Sequence, residues 1–179
     1  MSGFQRIAAQ VRWEGKFIRA GVERFRYPDG SEVTREKVWH PGAVGILAID
    51  DEHLWLTRQP REAAGVDACL EIPAGKLDVP GETPLETGQR ELAEEIGKRA
   101  GSWDELFAFF TSPGFSDERV WIYLATDLSD SGPADADEDE RIEIVPWPLA
   151  LLDDAIAECE DSKSLIALLW LAGRRVLAV

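Results

Sequence analysis

The side chains best placed to do chemistry are three carboxylates, Glu91, Glu94 and Glu95, which follow a glycine loop that begins at Gly75. On a helix turning about 100° per residue, Glu94 falls near −60° and Glu95 near +40° of Glu91, so the three fan over one face. Like charges one turn apart cost about a few tenths of a kcal/mol each in a solvated helix. Such a cluster suits a hard cation, which takes oxygen ligands; the plain alternative is a solvated acidic face.

The helix that must carry them is well marked. Thr83, Pro84 and Glu86 read as a capping box with proline at the first helical position, and Gly97 supplies a left-handed stop. Leu85, Leu92 and Ile96 gather at roughly 100° to 140° and form the expected buried stripe.

Ahead of the helix, residues 4 to 27 alternate loosely, Pro28, Asp29, Gly30 and Ser31 make a turn, and Glu32 to Trp39 resume the alternation. This predicts a hairpin or small antiparallel sheet over residues 1–40, too small to stand alone. The main domain, 41–179, opens on an apolar run from Gly42 to Ile49, read as a buried central strand, with a partner strand from His53 to Gln59. Further strands are predicted at 69–72, 106–110, 120–125 and 142–147, the last with Pro146 near an edge, and helices around 148–158 and 162–174. Mixed α/β with mostly antiparallel strands predicts a sandwich of sheet and helices.

Composition narrows the function. The 179 residues make one ordinary domain with at most a small appendage, and 45% hydrophobic content is that of a globular protein. A net charge of −15 with no basic patch argues against nucleic acid as partner. A phosphate-bearing substrate would need metal ions or a local arginine against that charge. No apolar run reaches membrane-span length, and the N-terminus lacks the build of a signal peptide. Cys69 and Cys159, far apart and outside any metal-binding spacing, are expected to be free thiols in the cytoplasm.

Gly75, a gap of six residues, Glu82, a gap of seven, then Arg90, Glu91, Leu92, Glu94, Glu95 and Gly97 resemble the signature box of the Nudix hydrolase superfamily. The first gap is one residue longer than in the family, and Lys98 stands where a bulky apolar residue is usual. Glu71 to Gly75, Gln59 with Arg61, and Ser112 to Glu118 resemble the ADP-ribose pyrophosphatase branch, and the likeness runs from about Val22 onward.

The resemblance implies a Nudix-type α/β/α sandwich of mixed sheet with an N-terminal antiparallel sheet, forming a homodimer with exchanged N-terminal strands. It implies hydrolysis of the diphosphate of ADP-ribose to AMP and ribose 5-phosphate with Mg²⁺ or Mn²⁺. Glu91, Glu95 and the carbonyl of Ala74 are then expected metal ligands, with Glu94 binding directly or through water. Glu138 is expected as catalytic base and Glu140 as a further ligand, Asp139 being the nearest competitor for the base. Arg90 and Glu82 would brace the carboxylates. Arg61 is expected to clamp the diphosphate, Arg35 and Glu36 to meet the nucleoside end, and Ser112 and Glu118 to face the terminal ribose. His40 stands where relatives carry arginine. Other substrates open to the same chemistry are nucleoside diphosphate sugars such as GDP-mannose; a different class of reading is an ADP-ribose sensor without turnover.

Overall fold

A computed structural model of the chain describes residues 3–132 and 141–177. The chain divides into two compact units, Met1–Gly42 with Phe109–Arg119, and Ala43–Ala108 with Val120–Val179.

The first unit is built on three antiparallel strands, β1 (Gln5–Glu14), β2 (Arg19–Arg26) and β3 (Glu32–Trp39), in that order. Gly21 shows how closely β1 and β2 approach: a Cβ there would sit 2.1 Å from the carbonyl oxygen of Gln10. The segment Thr111 to Glu118, which reads as a loop in the sequence, is clipped onto β3. Val38 bridges to Ser116, its amide donates to the Phe115 carbonyl at 2.7 Å, and Lys37 pairs with Asp117 at 2.9 Å.

The second unit is organised around β4 (Ala43–Ile49) and β5 (His53–Arg61), which pair only at Ala48↔Trp55 and Ile49↔Leu54. Beyond that they part, and the chain from Val66 to Lys76 fills the gap. Its first portion, β6 (Val66–Glu71), pairs with β5; its second, β7 (Ala74–Lys76), pairs with β4. A parallel strand, β9 (Arg119–Asp130), flanks β4 on its other side, with β8 (Lys98–Phe110) beyond it and β10 (Glu143–Pro148) at the opposite edge beside β5. Pro146 therefore sits on an edge strand, where its missing donor is tolerated.

Side chains alternate across β4. Val44, Ile46 and Ala48 face α1 (Pro84–Ile96), while Gly45 lies against Ile72 and Ile122 on the other face. That second face is reached by α3 (Ser162–Leu177), whose Ser164 hydroxyl accepts from the Ile72 amide at 2.9 Å. The short α2 (Leu152–Glu158) precedes it. The layers are thus helix, mixed sheet, helix, as the sequence leads one to expect. No helix among the described residues is long and apolar enough to cross a membrane.

The buried stripe of α1 differs from expectation in composition. Leu92 and Ile96 are buried, but so are Thr87, Gly88 and Glu95, and Leu85 is only half-buried. Gly88 lets the helix approach the sheet: a Cβ there would lie 3.3 Å from Val44 Cγ2.

Candidate active site

The helix carrying the carboxylates forms for local reasons. Thr83 Oγ1 accepts from the Glu86 amide, the Glu86 carboxylate accepts from the Thr83 amide at 2.7 Å, and Gly97 ends the helix at φ 66°. Next comes Lys98, at the family's bulky apolar position. Its ammonium lies 4.2 Å from the centre of the Trp55 ring and 2.6 Å from Asp130. The ammonium thus caps the Trp55 ring, which packs against the cluster that includes Ile46, Ala48, Leu92 and Ile96.

The three glutamates are not equivalent. Glu95 is 4% exposed, and its Oε2 accepts from the Ala74 amide at 3.0 Å. Glu91 lies directly over Gly75: a Cβ there would sit 2.0 Å from Glu91 Oε1, so only glycine admits the carboxylate. Glu94 is the outward member and accepts from Arg90 Nη1 at 2.7 Å. The same guanidinium reaches Glu91 at 3.0 Å and Glu82 at 3.2 Å, and this ring of carboxylates raises its pKa further against the cost of burial. Arg90 therefore gathers the acidic side chains of loop and helix, the bracing role expected of it and Glu82.

Among the described residues, no three His, Cys, Asp or Glu side chains already converge as a cation cage. The donor set nonetheless suits a hard cation. Two carboxylates from one helical turn converge on adjacent residues, Glu95 on the Ala74 amide and Glu91 over the Gly75 Cα, and the cradle over Gly75 is shaped to the Glu91 carboxylate. Glu138 and Glu140 lie outside the described residues.

Arg61 projects from the end of β5, where its Nε and Nη2 donate to Glu71 Oε1 and Oε2 at 2.5 and 2.7 Å. Glu71 is 1% exposed and accepts a further bond, from Lys163 Nζ at 2.5 Å. Lys163 in turn lies 3.0 Å from Asp161. This chain of four charges around the buried Glu71 is the main feature that sequence reasoning missed; Glu71 stands in a quoted motif, but its partner Lys163 is 92 residues away.

Burial alone would raise the Glu71 carboxyl, but the Arg61 hydrogen bonds and the Lys163 charge outweigh it and hold it down at about 2, against an ordinary 4.5. Because the folded value is the lower one, its contribution to stability is complete above about pH 4.5 and is lost as pH falls towards 2. Acid unfolding followed by tryptophan fluorescence should therefore show the wild type losing stability in that window more steeply than Glu71→Gln. Parallel curves would contradict this.

The remaining expected residues belong to the first unit. Arg35 and Glu36 are exposed on β3 and line a cleft of about 770 Å³ together with Phe25, Tyr27, Phe115 and Asp117. Glu118 accepts from the Thr111 hydroxyl at 2.6 Å, with His40 Nδ1 3.7 Å away. Ser112 turns the same segment, its carbonyl accepting from the amides of Phe115 and Ser116.

A family model for the NUDIX domain matches residues 39–168. An ADP-ribose pyrophosphatase of Mycobacterium tuberculosis is 41% identical over 149 residues, covering 82% of this chain and 72% of that protein. An ADP-ribose pyrophosphatase of Bacillus subtilis is 39% identical over 181 residues, covering 96% and 94%. A methanol dehydrogenase activator of Bacillus methanolicus is 36% identical over 171 residues, covering 92% and 90%. Among solved structures, an ADP compounds hydrolase aligns with a TM-score of 0.81 at 25% identity over 97% of both chains.

Proposed function

This chain belongs to the Nudix family of hydrolases, and on that premise we propose that it cleaves the diphosphate of ADP-ribose to AMP and ribose 5-phosphate, using Mg²⁺ or Mn²⁺. The observation that carries the reading is the convergence of Glu95 and Glu91 on the neighbouring residues Ala74 and Gly75. The names of the relatives at 41% and 39% identity support the substrate.

Glu91, Glu95 and the Ala74 carbonyl would hold the cation, with Glu94 and Glu140 as further ligands. A bound divalent ion supplies neutralisation of the diphosphate and a more acidic attacking water. Arg61 offers its guanidinium to the diphosphate oxygens, and Arg35 and Glu36 take the nucleoside end. Ser112 and Glu118 meet the terminal ribose. Glu138 accepts the proton of the water whose oxygen bonds to one phosphorus as the bridging P–O bond breaks. The two products leave as separate phosphate monoesters.

The first unit also exposes Phe4, Val11, Trp13 and Phe17. A second copy of this chain with exchanged N-terminal strands would cover such a surface, making the protein a homodimer. The two free, buried cysteines suit the reducing cytoplasm.

Product analysis with Mg²⁺ across ADP-ribose, GDP-mannose, NADH and diadenosine polyphosphates tests the substrate. ADP-ribose should give AMP and ribose 5-phosphate with the highest kcat/KM. Saturable ADP-ribose binding without turnover of any compound would make the protein a sensor instead. Light scattering on the same preparation should return twice the 19.9 kDa chain mass; a single-chain mass would remove the dimer.

A further inference from the structure

We propose that the first turn of α3 belongs to the active site at one remove: Lys163 holds Glu71, and Glu71 fixes the guanidinium of Arg61 for the diphosphate. The inference rests on the reading above in that Arg61 is taken to meet the substrate, and it assigns positioning roles to two residues that touch no substrate themselves.

Two facts of geometry carry it. First, Glu71 grips Arg61 side-on, through Nε and Nη2. A guanidinium has five N–H donors in a rigid plane, so this grip leaves the second Nη2 hydrogen and both Nη1 hydrogens for another acceptor. The side chain is 41% exposed, so the guanidinium is not closed in by its partners. An arginine held by one edge and open on the other loses little freedom when a phosphate arrives, which lowers the entropic cost of the second fork.

Second, Glu71 is itself held from behind. A carboxylate at 1% exposure needs compensating charge, and Arg61, half in solvent, supplies it from one side only. Lys163 supplies the rest at 2.5 Å, and its own position is fixed by Asp161. Asp161 also accepts from the Ser164 amide at 2.9 Å and from the Ser164 hydroxyl at 2.6 Å, a helix-capping arrangement. Ser164 then takes the Ile72 amide, next to Glu71 in sequence, at 2.9 Å. The end of β6 and the start of α3 are therefore tied at two adjacent points. The Glu71 carboxylate has one place to be, and Arg61 inherits that placement.

The test is a double-mutant cycle on KM. Lys163→Met and Glu71→Gln should each raise KM about ten-fold or more, with kcat changed much less and the metal concentration for half-maximal activity unmoved. In an Arg61→Ala background, neither should raise KM further, because both act through Arg61. The pair Glu71→Gln/Lys163→Met, which removes one charge of each sign, keeps the cluster balanced should a single variant fold poorly. Equal KM increases in the Arg61→Ala and wild-type backgrounds would overturn the proposal. So would an unchanged KM in a folded Glu71→Gln or in the pair. The cycle is read as a ratio on whichever of ADP-ribose and GDP-mannose the wild type hydrolyses, so a wrong substrate sinks the previous reading and leaves this one standing or falling on its own.

Discussion

Glu95→Gln is expected to lose turnover by on the order of 10³-fold, the several kcal/mol that a bound divalent cation contributes to the transition state, and to lose saturable Mn²⁺ binding with it. The substitution removes charge and little else. Glu95 is buried at 4% exposure, and its contact with the Ala74 amide needs only an acceptor oxygen, which the glutamine side chain retains. The fold and the 74–75 turn should therefore persist, so that lost activity reports the missing anion rather than a collapsed loop. Glu138→Gln supplies the contrast. A general base is worth about 10²–10⁴-fold, so turnover should fall comparably while Mn²⁺ binding, followed by electron paramagnetic resonance, stays near the wild-type level. If Glu138→Gln keeps full activity, the base is another residue of the acidic run, with Asp139 first in line. If Glu95→Gln binds Mn²⁺ like the wild type, Glu95 is no ligand.

What could be read from the chain alone follows the range of the interactions involved. The limits of α1 are legible because a capping box and a C-terminal glycine act within three or four residues. The central strand Ala43–Ile49 is legible because burial on both faces leaves an uninterrupted apolar run. β8 is another matter. It starts at Lys98, eight residues before the apolar Leu106 to Phe110 that mark its end, because its first half is polar and partly exposed and carries no period-two signal. The 111–118 segment reads as an ordered loop, but its clip onto β3 is not legible, since the bridge from Ser116 to Val38 joins residues far apart in the chain.

The candidate site divides the same way. The glycine, the glutamates and Arg90 share one turn-and-helix segment, and their spacing shows in the sequence. That Glu95 points inward while Glu94 points out does not show, because both lie on flanks of the same fan until the sheet decides which flank is covered. Arg61 stands out in the sequence by its Gln-x-Arg setting, but its grip by Glu71 and, behind that, by Lys163 depends on where α3 docks. No local pattern encodes that docking.

Gly75→Ala separates function from fold most sharply. A Cβ at this position would sit 2.0 Å from Oε1, 2.1 Å from Cδ and 2.3 Å from Cγ of Glu91, distances no real contact sustains. Either the backbone or the glutamate has to move. Gly75 is not one of the glycines with positive φ, so alanine strains no torsion there, and β7 keeps its pairing of Val44 with Gly75. The flexible side chain gives way first. Glu91 then swings off Gly75 and leaves Glu95 without its companion. Overpacking of this kind costs about 1–3 kcal/mol, and each kcal/mol lowers Tm by about 2–4 °C in a chain of this size. The variant should thus stay folded at 25 °C, with Tm lowered by roughly 12 °C at most. Its Mn²⁺ affinity and kcat should fall by about 10²-fold or more, on the scale of disturbing the groups that orient metal ligands. A Gly75→Ala protein with wild-type kcat and metal affinity would mean that the Glu91 carboxylate over this residue is a packing feature and not half of a metal site.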